Sequence, residues 1–346
     1  MSRFTVKQIV EVGDWEAFVR AQPFTPFVQS FHYGNFHHNM GESYWIAGIY
    51  EGNTLVGGSL IVSVHARRGN FLYLPYGPLV SPALETSYEE VLRELSGWLR
   101  ELAKKEDCAF IRISPFINDT DEIKNIYSRV GFRAAPMHIL AETTWLLDIR
   151  PSEDDLIKIM NKNHRNLIRR CEREGVIIKT SCDVASLSGL DTLLNITADR
   201  HKFIRFSRDY IEKEFTAFAR EGDAMLFEAY LPDGTLDAAA IIMFYGNMAA
   251  YRHSASLGAS KQLPTSYALQ WAVIREAKKR GLTYYNFWGI APEGALKTHP
   301  FHGITHFKKG FGGFQKDLLH CQDLPVRPKY WLNWLVETFR RYKRGF

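Results

Sequence analysis

One order of strands and helices occurs twice along the chain, and this repeat constrains the fold more than any other feature of the sequence. The first copy is a three-strand meander, a helix, a strand and a short helix, at residues 44–50, 55–65, 71–75, 87–106, 108–114 and 121–132. The second copy begins about 175–180 positions later, at residues 224–231, 236–245, 248–256, 264–281 and 282–289. The sequence therefore predicts an α/β (α+β) protein with two tandem domains, each a mixed, mainly antiparallel sheet flanked by helices.

The repeat and the chain length together predict the domain boundaries. The 346 residues suit two domains of ordinary size, which we place at 1–150 and 151–325, followed by a basic amphipathic helix at 326–346. The N-terminal stretch lacks the apolar core of a signal peptide, no segment approaches the about 20 apolar residues of a membrane span, and the four cysteines are scattered. We therefore expect a cytoplasmic protein with free thiols.

The repeated order resembles the core of the GNAT acyltransferases. The stretch IYSRVGF at 126–132 resembles the YxxxGF ending common in that fold, and HFKKGF at 306–311 falls at the equivalent point of the second copy. In GNAT enzymes that use acyl-CoA, a glycine-rich turn before the long helix binds the pyrophosphate through backbone N–H groups. Here that position reads LGASKQLPTSYALQ, in which Gly258 stands alone and Pro264 lacks an N–H. The sequence thus predicts an acyltransferase fold without a thioester-binding turn.

The segment HPFHGITHFKKGFGG at 299–313 combines histidines, lysines, glycines and aromatic residues. No Asp, Glu or Cys stands at ligand spacing beside its histidines, and the P-loop, GxGxxG, GxSxG and HExxH motifs are absent from the chain, so we expect no metal. Lys308 fits a fixed ammonium that stabilises the oxyanion of acyl transfer, in a pocket of low dielectric made by Phe307 and Phe311. The glycines at 310, 312 and 313 would let substrate approach the backbone. An exposed pair of lysines is the alternative.

Between the two copies, residues 154–175 read as one long basic helix that ends at Gly175. Its cations recur at three- and four-residue steps and so share one face, at Lys158, Lys162, Arg165, Arg169 and Arg173. A row of this kind is either a solvated helix face or a contact for a polyphosphate or an RNA backbone.

Several segments resemble the Fem (FemABX) nonribosomal peptidyltransferases. The most specific are AAYRHSAS at 249–256, SYALQWAVIREAKKRG at 266–281 and HFKKGFGG at 306–313, while FVQSFHYGNF and NKNHRNLIRRCEREGV resemble earlier parts of the family. Members of this family have two GNAT-like domains and transfer amino acids from aminoacyl-tRNA to the stem peptide of a peptidoglycan precursor. The resemblance therefore implies aminoacyl-tRNA as donor, no metal or redox cofactor, and UDP-MurNAc-pentapeptide or a lipid-linked precursor as acceptor.

The resemblance also implies roles for individual residues. Phe307 and Lys308 match the FK pair in which the lysine stabilises the transition state, and Tyr251 matches an active-site tyrosine. The family also uses an arginine and a tyrosine near the start of the second domain, one of which grips the precursor's diphosphate. For this pair the chain offers Arg205 or Arg208 with Tyr210.

Two departures from the family concern the acceptor. Ser114 stands where the family often has an acidic residue that acts on the acceptor amine. The N-terminal segment HYGNFHHNMG contains no match for a precursor-binding lysine.

The C-terminal segment RPKYWLNWLVETFRRYKRGF places aromatic residues among cations. It reads either as a helix that docks at the surface of an anionic membrane or as a helix packed back on its domain. We expect an aminoacyltransferase of peptidoglycan-bridge synthesis, with the basic row contacting tRNA. A GNAT-like N-acyltransferase with a thioester donor and a polysaccharide, lipid or small-molecule amine is the alternative, and a non-catalytic binder of precursor or tRNA is a third.

Overall fold

The chain is organised into two compact units, each built around one mixed β-sheet. A computed structural model describes residues 2–67, 69–202, 204–296, 299 and 301–344. The first unit comprises residues 1–143 and 316–346, and the second comprises residues 144–315.

The first unit contains eight strands and five α-helices within the described residues. The strands are β1 (Phe4–Gln8), β2 (Tyr44–Glu51), β3 (Thr54–Val64), β4 (Phe71–Pro75), β5 (Leu79–Val80), β6 (Phe110–Ser114), β7 (Arg133–Ala134) and β15 (Gln322–Pro325). The helices are α1 (Val12–Arg20), α2 (Phe31–Asn39), α3 (Tyr88–Lys105), α4 (Asp121–Val130) and α11 (Tyr330–Arg344). The strand order is β1-β2-β3-β4-β6-β15-β7, with β5 paired to β3.

The second unit has seven strands and six α-helices among the described residues. The strands are β8 (Thr143–Asp148), β9 (Ile177–Ser181), β10 (Ala224–Tyr230), β11 (Leu236–Tyr245), β12 (Met248–Ser256), β13 (Tyr284–Gly289) and β14 (Phe314–Asp317). The helices are α5 (Glu153–Ile159), α6 (Lys162–Arg173), α7 (Leu187–His201), α8 (Arg208–Ala219), α9 (Thr265–Lys279) and α10 (His302–Lys309). The strand order is β14-β8-β13-β12-β11-β10-β9.

The repeat predicted from the sequence is present in both units. The series β2, β3, β4, α3, β6, α4 of the first unit corresponds to β10, β11, β12, α9, β13, α10 of the second. Each long helix presents apolar residues at helical spacing to its own core, at Val91, Leu92, Leu95 and Leu99 in α3 and at Leu269, Val273, Ile274 and Ala277 in α9. Burial of one apolar helix face on a sheet is the main stabilising contribution in such a layer.

The division into units differs from the predicted boundaries at 150/151 and 325/326. Strand β8 pairs antiparallel with β13 of the second sheet, and Leu147 lies in the core of that unit. Strand β15 pairs with both β6 and β7 of the first sheet, and Leu324 lies in the core of that unit. A strand joins the sheet that offers it an open edge, whatever its place in the sequence, so the repeat alone does not locate these two strands.

The predicted basic helix at 154–175 is two helices, α5 and α6. Met160 between them is extended, with φ −65° and ψ 151°, and the Asn161 side chain caps α6 by accepting a hydrogen bond from the Asn163 N–H at 2.9 Å. Asn is a favoured N-cap residue because its short side chain satisfies a free backbone donor. The prediction of one continuous helix was therefore wrong.

The C-terminal helix α11 packs against the first unit along one side. Tyr330 and Asn333 are buried, and Glu337 forms an ion pair of 2.7 Å with the buried Arg112 of β6. None of the described helices combines the length and apolar character that crossing a membrane requires.

Candidate functional site

The candidate site lies in the second unit, where the parallel strands β12 and β13 separate. The two strands are in register only from Met248 with Tyr284 to Ala250 with Asn286. Among the described residues, no further pair joins β12 to β13, although both strands continue. The separation leaves backbone groups of the two central strands without each other as partners, which is where a ligand can reach a sheet interior.

A β-bulge on β12 accompanies the separation. His253 is opposite Ile241 and Tyr251 is opposite Ile242, so Arg252 is the additional residue. Bulges rotate side chains away from the regular alternation of a strand. The bulge therefore gives Tyr251 and Arg252 their local orientation at the point where the strands part.

Asn286 holds β13 in an irregular conformation on the other side of the gap. Its buried side-chain oxygen accepts hydrogen bonds from the Thr144 hydroxyl at 2.6 Å and from the Trp288 N–H at 2.8 Å. Trp288 has a φ of +67°, a left-handed conformation that is rare for a bulky residue and that marks local strain. Register with β8 also shifts here, between Asn286 and Gly289. The end of β13 is thus turned away from ideal strand geometry by specific contacts.

Lys308 of α10 reaches the end of this strand. Its ammonium donates a hydrogen bond of 2.6 Å to the Gly289 carbonyl oxygen and lies 6.0 Å from the centre of the Tyr251 ring. The residue is only 4% exposed, and burial lowers the pKa of Lys308 to about 7. A buried lysine that titrates near neutral pH is a common property of catalytic sites.

The aromatic residues beside Lys308 fix α10 from its other side. Phe307 and Phe311 pack edge-on to each other and to Tyr267 or His164, at centroid distances of 4.9–5.4 Å. His164 of α6 is buried, its Nε2 lies 2.9 Å from the Phe307 carbonyl oxygen, and burial lowers its pKa. The neutral imidazole therefore donates Nε2–H to that oxygen. This cluster orients α10. The aromatic ring beside the Lys308 ammonium is that of Tyr251.

The glycines after Lys308 admit neighbouring protein atoms rather than substrate. A Cβ at Gly310 would lie 2.0 Å from the His164 ring, and a Cβ at Gly313 would lie 2.2 Å from the Leu146 carbonyl oxygen. The Asn161 N–H also donates to the Gly310 carbonyl oxygen at 2.8 Å. The expectation that these glycines open the backbone to a substrate was wrong, because α6 and β8 already occupy the space.

A buried ionic cluster lies behind the bulge of β12. Glu214 of α8 is fully buried and accepts hydrogen bonds from Arg252 at 2.9 Å and from His253 at 2.6 Å. Burial, the largest single influence, favours its neutral form, but the charges of Arg252 and His253 and the hydrogen bonds from both side chains together outweigh burial and lower the pKa of Glu214 to about 2. Arg252 also donates to the Tyr210 hydroxyl at 3.3 Å and lies over the Trp288 ring at 5.6 Å. The cluster therefore links Tyr210 to both strands of the gap.

Tyr251 of β12 lies beside Lys308, and Tyr210 of α8 contacts Arg252 of the same strand β12, whereas both predicted arginines have other partners. Arg205 forms an ion pair of 2.7 Å with Asp191 of α7, and Arg208 pairs with Glu212 at 2.7 Å within α8. Their contact with a precursor stays a prediction.

Ser114 lies at the end of β6 in the first unit and is buried. Its hydroxyl accepts a hydrogen bond of 3.0 Å from the Tyr73 hydroxyl and lies 3.5 Å from Cys321 Sγ. Its proposed role toward the acceptor stays a prediction.

The predicted tRNA-contacting cations divide between the two helices. Lys158 belongs to α5 and pairs with Asp155, whereas the others lie on α6 at Lys162, Arg165, Arg169 and Arg173. Arg165 is half-buried and donates to the Lys158 carbonyl oxygen, Arg173 pairs with Glu174, and Lys162 and Arg169 are exposed. Within the described part of the chain, Lys162 and Arg169 have no recorded carboxylate partner.

The N-terminus of α9, where a thioester's pyrophosphate would bind, already holds a carboxylate. The buried Asp237 accepts hydrogen bonds from the Ala259 N–H at 2.7 Å and from the Thr265 hydroxyl at 2.5 Å, and Pro264 is the N-cap residue. In the described ranges, no group of three His, Cys, Asp or Glu side chains could hold a metal ion.

Sequence reasoning did not identify His164, Glu214, Arg252 or Asn286 as parts of this site. Arg252 and His253 adjoin Tyr251 in the YRHS segment, so their position next to a predicted site residue was an available signal. Glu214 is 38 residues away from Arg252, and His164 is 143 residues away from Phe307, so neither contact has a local sequence signal.

Comparisons with known proteins identify the family and the fold. The model of the FemAB family matches residues 10–127, 131–235 and 233–338. The lipid II:glycine glycyltransferase of Staphylococcus epidermidis is 21% identical, in a match that covers 65% of this chain and 70% of that enzyme. A crystal structure of FemX superimposes with a TM-score of 0.82 at 18% identity, over 96% of this chain and all of that chain. A tandem GNAT protein from the clavulanic acid pathway gives 0.57 at 13% identity, over 94% and 99%.

These likenesses confirm the predicted fold of two tandem GNAT-like domains and the predicted family. The chain therefore belongs to the FemAB family of transferases, as a distant relative of the lipid II glycyltransferases.

Proposed function

We propose that this protein transfers an aminoacyl group from aminoacyl-tRNA to an amine on the stem peptide of a lipid-linked peptidoglycan precursor. The observation that carries the proposal is Lys308, a buried amine bonded to Gly289 where the two central strands separate. The relatives named for glycyl transfer to lipid II support the lipid-linked acceptor over UDP-MurNAc-pentapeptide. Since charged tRNA is made in the cytoplasm, we place the reaction there.

In this reaction the acceptor amine attacks the ester carbonyl of the aminoacyl-tRNA, and a negatively charged tetrahedral intermediate forms before the ribose oxygen leaves. Protonated Lys308 stabilises the developing oxyanion, a contribution of about 3–4 kcal/mol for one well-placed donor. Its burial strengthens this interaction, because the local dielectric is lower than that of water. With a pKa of about 7, the same ammonium is also suited to give its proton to the leaving ribose oxygen as the ester C–O bond breaks, and to take back the proton that the acceptor nitrogen loses as the amide forms.

The electrostatics of the second unit favour tRNA over a thioester as donor. The Asp237 carboxylate and the missing N–H of Pro264 disfavour a pyrophosphate at the start of α9. Lys162 and Arg169 are exposed cations on one face of α6, which suits the phosphates of an RNA backbone. Arg165 and Arg173 extend that row on α6, and Lys158 of α5 is a further candidate; each would exchange its present partner for a phosphate.

The acceptor side of the site is proposed to involve the two tyrosines. Tyr251 lies beside the Lys308 ammonium, and Tyr210 is held by Arg252, which Glu214 fixes in place. Arg208 is exposed and, among the described residues, pairs with Glu212 of its own helix. Of the two candidate arginines, it can therefore turn to the precursor diphosphate at lower cost.

The test is transfer of radiolabelled amino acid from bulk charged tRNA to a lipid-linked precursor. Wild type is expected to label the precursor, RNase treatment of the tRNA is expected to abolish the label, and Lys308→Ala is expected to lose at least about 100-fold in rate. Lys309→Ala is the matched control, because Lys309 is the exposed neighbour in the same helix. If wild type labels neither the lipid-linked nor the nucleotide-linked precursor, the proposal is wrong, and acyl-CoA donors are tested next.

A further inference from the structure

The helix α11 carries a continuous stripe of exposed apolar side chains. Trp331, Leu332, Leu335, Phe339 and Tyr342 are 45–88% exposed. At 3.6 residues per turn, these five positions fall within an arc of about 100° on the helix surface. Isolated exposed apolar residues are normal on a protein surface, but a stripe of three aromatic and two leucine side chains marks an interaction site.

The opposite side of the same helix is fixed to the first unit. Tyr330 donates a hydrogen bond of 3.3 Å to the buried Asp323, Asn333 is buried, and Glu337 pairs with Arg112 at 2.7 Å. These contacts orient the helix, so the apolar stripe points away from the core of its unit. The stripe is therefore a preformed surface and needs no folding step to become available.

Positive charge borders the stripe, and among the described residues the cations there have no carboxylate partner. Arg340 and Lys343 lie in the next arc of the helix, Lys329 precedes its first residue, and Arg133 of β7 lies 4.5 Å from the centre of the Trp331 ring. Glu337 is the one acidic residue of α11, and Arg112 already pairs with it. The partner of this surface must therefore accept apolar side chains and supply negative charge beside them.

We propose that α11 docks this enzyme on the surface of an anionic lipid bilayer, with the apolar stripe inserted among the headgroups and the cations on lipid phosphates. Aromatic and leucine side chains bordered by Lys and Arg are the composition of helices that lie in a membrane interface. A second copy of the chain is a poorer occupant, since it would bring an equally positive edge. The inference rests on the proposed function in one respect: a lipid-linked acceptor gives the enzyme a reason to bind a bilayer.

The test measures binding of the full chain to vesicles without tRNA or precursor, by co-sedimentation. Wild type is expected to bind vesicles that contain phosphatidylglycerol and to bind pure phosphatidylcholine at least about tenfold more weakly. Leu335→Ser with Phe339→Ser is expected to weaken binding by about tenfold or more, because these side chains are exposed and contribute through insertion. Val10→Ser with Ile177→Ser, exposed apolar residues elsewhere, is the matched control and should bind like wild type.

Charge reversal tests the second element of the surface. Arg340→Glu with Lys343→Glu is expected to reduce binding to anionic vesicles by about tenfold, whereas Lys7→Glu with Lys105→Glu leaves it unchanged. Equal binding to both lipids, or full binding by the Leu335/Phe339 variant, overturns the proposal. Sedimentation velocity adds an independent readout: if that variant only converts a dimer into a monomer and wild type does not bind vesicles, the stripe is an interface between copies.

Transfer assays separate this inference from the proposed function. The Leu335/Phe339 variant should keep wild-type kcat and KM with a soluble acceptor, and its KM should rise about tenfold for acceptor embedded in vesicles. If wild type binds vesicles as described but transfers nothing, the docking surface stands and the assigned reaction fails. If transfer occurs without vesicle binding, the assigned reaction stands and the docking surface fails.

Discussion

The two units place different groups at the same position of one repeated fold. Lys308 follows Phe307 in α10, and Arg129 is its counterpart in the SRVGF segment of α4. Lys308 is buried and bonded to a strand carbonyl, whereas Arg129 is largely exposed and pairs with Glu89 on α3. The same helix thus serves as a surface element in one unit and delivers a catalytic candidate in the other.

The central strands explain this difference. In the first unit, β4 and β6 stay in register over five pairs, from Phe71 with Phe110 to Pro75 with Ser114. In the second unit, the equivalent pairing stops after three pairs. A continuous pair of strands satisfies its own backbone groups, so it leaves no room for a side chain or a substrate.

The two copies carry different side chains at one equivalent strand position. Arg112 of β6 and Asn286 of β13 occupy equivalent places, opposite Tyr73 and Ala250 respectively. Arg112 forms a double hydrogen bond with Asp323 and so binds the additional strand β15, while Asn286 accepts the Trp288 N–H and bends its own strand. The comparison teaches that two copies of one topology differ at this point in local side-chain bonding, and the copy whose strands separate is the one that contains Lys308.

The largest expected effect is on activity. Lys308→Ala should reduce the transfer rate by about 10²–10³, because one oxyanion donor is lost. Arg129→Ala should leave the rate within about twofold, because Arg129 belongs to the surface of the first unit. The measurement is the initial rate of transfer by each of the two variants, with circular dichroism as a control for folding. A similar loss in both variants would mean that the two positions are not functionally distinct.

A second prediction concerns stability and pH. The pKa of Lys308 falls from 10.5 in the unfolded chain to about 7 in the fold, so between these values the unfolded state binds the additional proton. The free energy of unfolding of wild type should therefore rise with pH from about 7 to 10.5, relative to Lys308→Met, by a few kcal/mol. Urea denaturation of both proteins at several pH values gives this difference. A constant difference over that range would contradict the lowered pKa.

A third prediction compares two equivalent glycines. Gly310→Ala should cost about 2–3 kcal/mol, because the new methyl group meets the His164 ring. Gly131→Ala should cost about 1 kcal/mol, from its φ of +102° alone, since its nearest neighbours lie 3.6 Å from the added Cβ. His164→Ala combined with Gly310→Ala should cost less than the sum of the single changes. Additive values in denaturation would show that ring and glycine do not compete for space.

The smallest expected effect tests whether the bend of β13 influences the transfer rate separately from the stability of the fold. Thr144→Val removes the hydroxyl that holds Asn286, and Tyr73→Phe removes the hydroxyl that holds Ser114. Each should cost about 1 kcal/mol of stability. Only Thr144→Val should slow transfer, by a few fold, because Asn286 sets the end of β13. Equal activity of the two variants would indicate that the bend of β13 does not depend on this bond.

The sequence predicts most of the fold because the repeated elements each have a local hydrophobic pattern. Alternation and helical spacing locate the six members of the first copy and the first five of the second to within a few residues, and HFKKGF falls at the end of α10, the sixth member of the second copy. Three features depend on contacts distant in sequence and had no such pattern: the partner sheet of β8, the return of β15, and the Glu214–Arg252 ion pair. The break at Met160 was missed for another reason, since the basic spacing continues through Asn161 and hides its capping role.

The path of the chain between the units has a consequence for biosynthesis. Strand β6 has an unfilled edge until β15, whose first residue is Gln322, has been synthesised, whereas the second unit is complete at residue 315. Domains fold as their residues emerge from the ribosome. The second unit, which contains Lys308, therefore completes its folding before the first unit, although translation of the first unit begins earlier. For the time needed to translate residues 115–321, the nascent chain carries an unprotected β-edge, which is the interval in which a chaperone would act on it.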